Sequence, residues 1–391
     1  MEKLRRMKKV FSRLLIVIAT YFCIFFVPPV FAEVQLGAKM LWEHGYYNGV
    51  HHQTGDSGSN NAIRLVRVYL KNKFDEHWDS MLQLQISERD GSTKTVWKEA
   101  FIKYNGLGPF DLTLGKRKEP FGLQMLVNAE RVLLPERAMI SSSFAPERSI
   151  GLTLSSYPTS KTSVEAGIYN QGDNGNSSFA KSSPDAGNSE KDTYAVTGRF
   201  TFTPMQKNNS LVHFGLAASY RDFGGNEYQV KDRAEINLAQ PVVTSRKTPA
   251  DHLTIFGIEA AAQLGAVSLQ SEYMQILVSA VDGAEDVEYD GYYVQLGYFL
   301  TNGSRDYHKG KFGAVKPLSP FGTWQLMGRY SVLNAENNNE GVEAENITLG
   351  LNWFANRSVR ISTNYIMTQL NGAKLANDDG DAFLVRFQYV F

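Results

Sequence analysis

From about residue 34 onward, apolar side chains recur at every second position over stretches of about ten residues. The last stretch shows it most plainly: in FLVRFQYVF, Phe383, Val385, Phe387, Tyr389 and Phe391 share one parity. A period of two places such a set on one face of a β-strand. The same pattern runs through 194–202, 212–220, 292–300, 324–330, 347–353 and 359–365, with Gly, Thr, Ser, Arg and Gln prominent on the other parity. Strands that face lipid on one side and an aqueous lumen on the other need this pattern. A buried edge strand of a soluble sandwich also alternates, but it rarely needs segments so long with so polar a second face.

Sixteen such strands are predicted, starting near 34, 61, 79, 95, 110, 149, 162, 193, 211, 252, 266, 291, 323, 345, 358 and 382. Their connections alternate in length. Polar stretches at 44–60, 117–148, 171–191, 222–251 and 370–380 are long, while links at 105–109, 157–161, 264–266 and 354–357 are tight. Long loops on one side and short turns on the other are the arrangement of an outer-membrane barrel. The expected fold is therefore all-β, a transmembrane antiparallel β-barrel of sixteen strands. One link breaks the rule: 301–320 is long where a short turn is due, which means either an extra feature there or a strand count wrong by two. The aromatic at Phe391 is expected to act as an assembly signal, read by the barrel-assembly machinery through the last strand.

The first 32 residues follow another logic. Lys3, Arg5, Arg6, Lys8 and Lys9 precede an apolar run over 10–27, and Val30-Phe31-Ala32 offers a small-residue cleavage site. This reads as a secretory signal over 1–32, leaving a single barrel domain over 33–391. The chain's one cysteine, Cys23, lies inside that apolar run after Tyr21 and Phe22, unlike a lipoprotein cleavage site, so neither a lipid anchor nor a disulfide-stapled scaffold is expected. Beyond residue 30 no stretch approaches 18 consecutive apolar residues, which excludes helical spans.

Charge changes the picture less than its placement does. The whole chain balances 40 basic against 40 acidic residues; removing six basic and one acidic residue with the signal leaves 34 against 39, a net charge of −5. Any preference for anions must then come from where cations sit. The 117–148 connection is the most informative: Lys116, Arg117 and Lys118 open it, Arg131, Arg137 and Arg148 follow, and apolar runs lie at 123–127 and 132–134. A loop both apolar and basic can pack against the inside of the wall and narrow the lumen, where Arg and Lys favour anions. The alternative is a solvated loop whose cations pair with Glu119, Glu130, Glu136 and Glu147. Arg67, Arg199, Arg221, Arg233 and Arg329 are expected on lumen faces or mouths. Arg64 and Arg67 have opposite parity, so both should not face the lumen in mid-strand.

Enzyme signals are weak. Gly55-Asp56-Ser57-Gly58 resembles a serine-protease nucleophile motif, but too few residues precede it to supply the His and Asp, and its surroundings read as loop. His51-His52 beside Asp56 is accompanied by no HExxH and no Cys. No enzyme activity, cofactor, catalytic residue, metal site or nucleic-acid partner is expected; a barrel hydrolase and a secreted sugar-binding sandwich are the readings from other classes.

Three stretches together carry a family resemblance: LTLGKRKEPFGLQMLVNAERVLLPERA at 112–138, GYYVQLGYFLTNGSRDY followed by KFGAVKP, and LGLNWFANRSVRISTNY with the final FLVRFQYVF. They resemble the phosphate-selective porin O/P family over essentially all of 36–391. The resemblance implies a sixteen-stranded homotrimer in outer-membrane lipid of a Gram-negative bacterium, a third loop folded into the channel, and passive transport of phosphate or polyphosphate. At individual positions the match is uneven. The arginine of the second strand is matched by Arg67, but the arginine expected beside it is Val66. Tyr220, Arg221 and Asp222 match the end of the ninth strand. The loop after it offers Lys231, Arg233, Arg246 and Lys247 where the family has a ladder of arginines, and no Lys occurs in 125–130 of the third loop. The functional expectation is an anion-preferring outer-membrane diffusion channel for phosphate or polyphosphate, with a weakly selective general porin as the alternative.

Overall fold

The structure is a computed structural model, and it describes residues 33–52, 54–89, 92–170, 193–207, 210–281, 283–372 and 378–391. The expected signal segment, 1–32, lies outside the described residues, as does the whole 171–191 connection. Sixteen long antiparallel strands form the barrel. They are β1 (Glu33–Tyr47), β2 (Gly58–Lys73), β3 (Trp78–Arg89), β4 (Ser92–Leu107), β5 (Phe110–Lys118), β6 (Arg148–Thr159), β7 (Thr162–Asn170) and β8 (Tyr194–Lys207), then β9 (Ser210–Asp222), β10 (Thr248–Leu264), β11 (Val267–Ala280), β12 (Val287–Phe299), β13 (Thr323–Asn334), β14 (Glu343–Phe354), β15 (Val359–Asn371) and β16 (Asp379–Val390). Each pairs with its sequence neighbours, and β1 closes the sheet by pairing with β16 from Lys39↔Val390 to Tyr47↔Ala382. Closure matters because an open sheet edge in hydrocarbon would leave a row of N–H and C=O groups unsatisfied.

Alternation sorts the side chains as expected. Leu114, Ile150, Ile168, Leu216, Ile258, Leu296 and Leu349 are exposed on the outer face. Thr153, Ser155, Ser163, Thr197, Thr201 and Ser219 are buried on the inner one. The turns at 108–109 and 265–266 are two residues long. Gly108 (φ 63°) and Gly265 (φ 59°) supply the left-handed backbone that such turns require.

Three connections fold inward and fill the lumen. Two come from the long-loop side: the third loop (119–147), with short helices α1 (Leu123–Leu126) and α2 (Met139–Ser143), and the fifth loop (223–247). The third is the anomalous 300–322 link, whose extra feature is a β-hairpin pairing Gly303–His308 with Lys311–Pro317. It rises from the short-turn side, so the sixteen-strand count stands. At its tip Lys309 (φ 51°) and Gly310 (φ 74°) make a tight turn against the wall. A Cβ on Gly310 would lie 2.8 Å from both Ser163 Oγ and Thr201 Oγ1, so no larger residue fits. The apolar core lies inside the barrel. Phe121, Met139, Ile140 and Phe144 of the third loop pack with Tyr228, Val230 and Val243 of the fifth and with Ile276, Tyr289 and Leu333 of the wall. Lower down, Leu123, Val127 and Val132 meet Phe312 and Tyr307 of the hairpin.

The seam between β1 and β16 ends on Phe391, which donates N–H to Ala38 O and accepts from Ala38 N–H, both at 2.9 Å, while its ring tilts against Tyr389. Deleting Phe391 removes two seam bonds and the ring; Phe391→Asp removes only the ring. Both variants should lower the yield of heat-modifiable barrel in the outer-membrane fraction, the deletion more severely. Wild-type yield from Phe391→Asp would show that the ring has no part in assembly.

Candidate functional site

The narrowed lumen is built from ion pairs between wall and inserts. Arg221 of β9 donates to both carboxylate oxygens of Glu119, at 2.8 and 3.1 Å, and Ser149 and Thr197 donate to the same group at 2.6 Å. Arg199 of β8 holds Glu259 of β10 through two hydrogen bonds, at 2.7 and 2.6 Å, and reaches Gly310 O of the hairpin at 2.9 Å. Arg117 and Lys311 share Glu165, at 3.1 and 2.7 Å. Arg329 of β13 pairs with Glu235 of the fifth loop and donates to Glu136 O at 3.1 Å. Arg386 of β16 ties Glu43 of β1 to Glu136 and Pro135 O of the third loop. Glu272 of β11 accepts the first N–H groups of α1, from Leu123 (2.7 Å) and Gln124 (2.8 Å), and the Tyr293 hydroxyl at 2.6 Å. Removing one member of a fully buried pair strands the other charge, which costs about 3–5 kcal/mol.

Most arginines singled out from the sequence are therefore struts. The 117–148 loop lies inside the barrel and not solvated outside it, although its cations and carboxylates are largely paired. Among the described residues, Arg67, Lys118 and Arg137 donate to neutral oxygens around the third loop. Arg67 reaches Gln85 at 2.7 Å; Lys118 reaches the carbonyls of Met125 (2.5 Å) and Val127 (2.8 Å); Arg137 reaches Gln124 O (3.2 Å) and Val127 O (2.6 Å). Arg148 and Arg137 both lie within electrostatic reach of Arg67, so the group is a cationic cluster around one bend of the third loop. Glu147 and Glu99 border it, held by Lys98 (3.0 Å) and Arg148 (2.8 Å). Burial raises the Glu147 carboxyl, but Lys98 and Arg148 hold it well below the usual carboxylate range. Burial likewise opposes Glu130, which Lys39 at 2.8 Å brings down to about 2.

Other expectations change. Lys116 is in register with exposed Ile150 and shares parity with exposed Leu114, so it faces outward and not into the lumen. Lys231 is exposed on the fifth loop, and Arg233 bonds Ala239 O within that loop. Arg131 is partly exposed, 3.8 Å from Glu130. Arg64 and Arg67 both turn inward despite opposite parity, because the β1–β2 register skips Arg64 between Leu41↔Leu65 and Trp42↔Ile63. This bulge aims Arg64 at Glu136, 2.8 Å away. A second bulge does the same for Lys98, since Gln83 opposes Glu99 and Leu84 opposes Trp97. Bulges leave no mark in an alternating pattern, so Lys98 was not legible. Lys39, Arg360 and Arg386 were, as polar residues of inward parity on their strands. The protease-like motif is local loop structure, with Thr54 donating to Asp56 (2.6 Å) and bonded to His52 (3.0 Å).

A closed sixteen-strand barrel with an apolar exterior and a charged lumen narrowed by inward loops is the architecture of an outer-membrane porin. The profile of the family described as phosphate-selective porin O and P matches residues 34–391, and the chain belongs to that family. Porin O of Pseudomonas aeruginosa is 26% identical over 91% of this chain and 88% of its own length. Solved structures share the fold at low identity. The anion-selective porin from Comamonas acidovorans matches with TM-score 0.59 and 12% identity, over 92% of this chain and all of its own. The DcaP channel of Acinetobacter baumannii matches with TM-score 0.60 and 10% identity, over 92% and 97%. The chain is an outer-membrane channel protein, and family and fold point to a channel in place of an enzyme.

One contact between inserts is sensitive to pH. Burial pushes the Asp232 carboxyl of the fifth loop up to about 7, Ser143 of the third loop partly opposing this with a 2.9 Å hydrogen bond and Glu235 adding to it. An acid whose folded-state pKa is raised favours the packed state while protonated. The contact is thus firmest below about pH 4, weakens as pH rises, and is weakest above 7. Current noise from loop motion should therefore grow between pH 4 and pH 8, and Asp232→Asn should flatten that dependence.

Proposed function

We propose that the protein is an anion-preferring diffusion channel, with phosphate as its leading solute and polyphosphate as the longer alternative. The supporting observation is the cluster of Arg67, Lys118 and Arg137, whose hydrogen bonds among the described residues go to uncharged oxygens. Charges on far loops are screened within about 8 Å at physiological salt, so an overall acidic surface does not decide what passes. Membership of a phosphate-selective family and the name of the Comamonas relative agree with this reading. Residues 1–32 are proposed as a cleaved signal, 33–391 as the mature domain, and the closing strand as what the assembly machinery reads.

Two unit charges 4 Å apart interact by about 1 kcal/mol even in bulk water, so reversing one in the cluster changes local anion occupancy by about tenfold or more. Arg67→Glu should move the zero-current potential in a salt gradient toward cation selectivity. Arg246→Gln should move it far less, because Arg246 pairs with Glu285 on an outer loop at 3.3 Å. Arg67→Lys should keep anion preference but weaken phosphate relative to chloride, since Lys lacks the planar fork. A wild-type channel without anion preference would make this a general porin.

The assembled form is proposed to be a homotrimer, on the family relationship. Native mass measurement in mild detergent should give three times the subunit mass; a monomer alone would refute it.

A further inference from the structure

An open groove of about 420 Å³ lies at the long-loop end of the seam, where β15, β16, β1 and β2 meet. It opens on the outside of the barrel and shares no lining residue with the lumen ion pairs. Strand register sets its floor. Tyr365 pairs with Phe383, Phe383 with Tyr46 and Tyr46 with Ser59, so three aromatic side chains stand side by side on the outer face, one per strand. All three residues are exposed. At a strand spacing of about 4.8 Å the row is about 10 Å long. Its upper edge is polar. Asp381 hydrogen-bonds the Tyr365 hydroxyl, and Asn48 Oδ1 accepts the Asp381 N–H at 2.8 Å, so what Asn48 offers a ligand is its amide N–H groups. Ser57 and Ser59 add hydroxyls. Among the described residues that line the groove there is one carboxylate, Asp381, and no Lys or Arg.

A phosphate or other anion would meet Asp381 with no cation to offset it. A purely apolar ligand would leave Asp381, Asn48 and the serines unused. An aromatic floor edged by hydroxyl, amide and carboxylate groups suits a ring with a C–H face and a rim of hydroxyls, which is a pyranose sugar. The C–H face takes ring surface out of water, while the hydroxyls both donate and accept. Height in the membrane fixes the source of that sugar. From Leu36 to Tyr46 on β1 the chain advances about 33 Å, or about 25 Å across the membrane at a strand tilt of about 40°. That is the height of the lipid-facing band, so the aromatic row sits at its outer boundary. Trp42 and Met40 are exposed on the same strand below it, and Asn48 and Ser57 are exposed above. We propose that the groove holds the uncharged sugar headgroup of an outer-leaflet glycolipid. Its rings stack on Tyr46 and Phe383, its hydroxyls bond Asp381 and Asn48, and its chains run down past Trp42 and Met40. The proposed channel function thereby gains a lipid site on the outside of the wall.

The test is native mass spectrometry of the purified full-length barrel from micelles holding equal amounts of digalactosyl diacylglycerol, phosphatidylethanolamine and phosphatidylglycerol. No ion current enters the measurement, so it succeeds or fails independently of anion selectivity. The digalactosyl lipid should be retained about tenfold over either phospholipid. Asp381→Asn keeps the shape of the side chain and removes the charged acceptor, and Tyr46→Ala removes part of the floor. Each should give a heat-modifiable barrel whose preference for the glycolipid falls about fivefold or more. Tyr330→Ala, an exposed aromatic on β13 outside the groove, should leave the preference unchanged. Equal retention of all three lipids, or an equal loss from Tyr330→Ala, would make the row an ordinary interfacial girdle and overturn the site. Free lactose displacing the lipid at equal concentration would overturn the glycolipid as its source. A trimer lost in Tyr46→Ala with lipid retention unchanged would give the groove to a second copy and overturn the proposal as well.

Discussion

A charge buried in this barrel has to be met by another, and that requirement organises everything inside the wall. A closed sheet of sixteen strands solves the backbone problem in lipid but encloses a lumen too wide for its own side chains to fill. Three inserts fill it, and each is secured by ion pairs to strands far away in sequence. Glu119 is held by Arg221, Glu235 by Arg329, Glu136 by Arg386, and the hairpin's Lys311 by Glu165. Glu119–Arg221 and Glu235–Arg329 are almost completely shielded from water, so each of these pairs is worth little over an apolar contact of equal size while each half alone would be severely destabilising. What the pairs supply is position: an insert that settles elsewhere leaves charges stranded.

The seam between the first and last strands shows the consequence. Lys39 and Glu43 of β1, with Arg386 and Gln388 of β16, all bond the 130–136 stretch of the third loop or partners that bond it. The third loop leaves the wall between β5 and β6 and reaches across the lumen to this seam. Its final position therefore exists only once β1 and β16 are paired, and it in turn braces that pairing from inside. Closure and plugging are one event in energetic terms.

Much of this was legible in the alternation of residues. Strand starts read from periodicity lie within about four residues of those observed, because a membrane wall leaves the period of two nowhere to drift. The overlong 301–320 link announced either an extra feature or a miscounted pair of strands through its length alone, and the structure shows the former. Two things escaped. Bulges at Arg64 and Lys98 put consecutive or wrong-parity side chains on one face, and nothing in a single strand's pattern marks where its neighbour's register slips. Partner choice escaped as well: Arg199, Arg221 and Arg329 have inward parity on their strands, but that each faces a carboxylate from another segment depends on how the chain packs.

That pairing separates two roles that composition alone merges. An arginine locked to a buried carboxylate contributes a near-neutral dipole to the path of a passing ion, and its field falls off quickly. An arginine or lysine bonded to amide oxygens has no bonded carboxylate to cancel its field. On the proposed function, selectivity in the upper lumen is assigned to Arg67, Lys118 and Arg137, and the more numerous paired cations set its shape. Family relatives that differ in where a carboxylate sits, by as little as one residue opposite an arginine, would differ in selectivity with the same fold and the same count of cations.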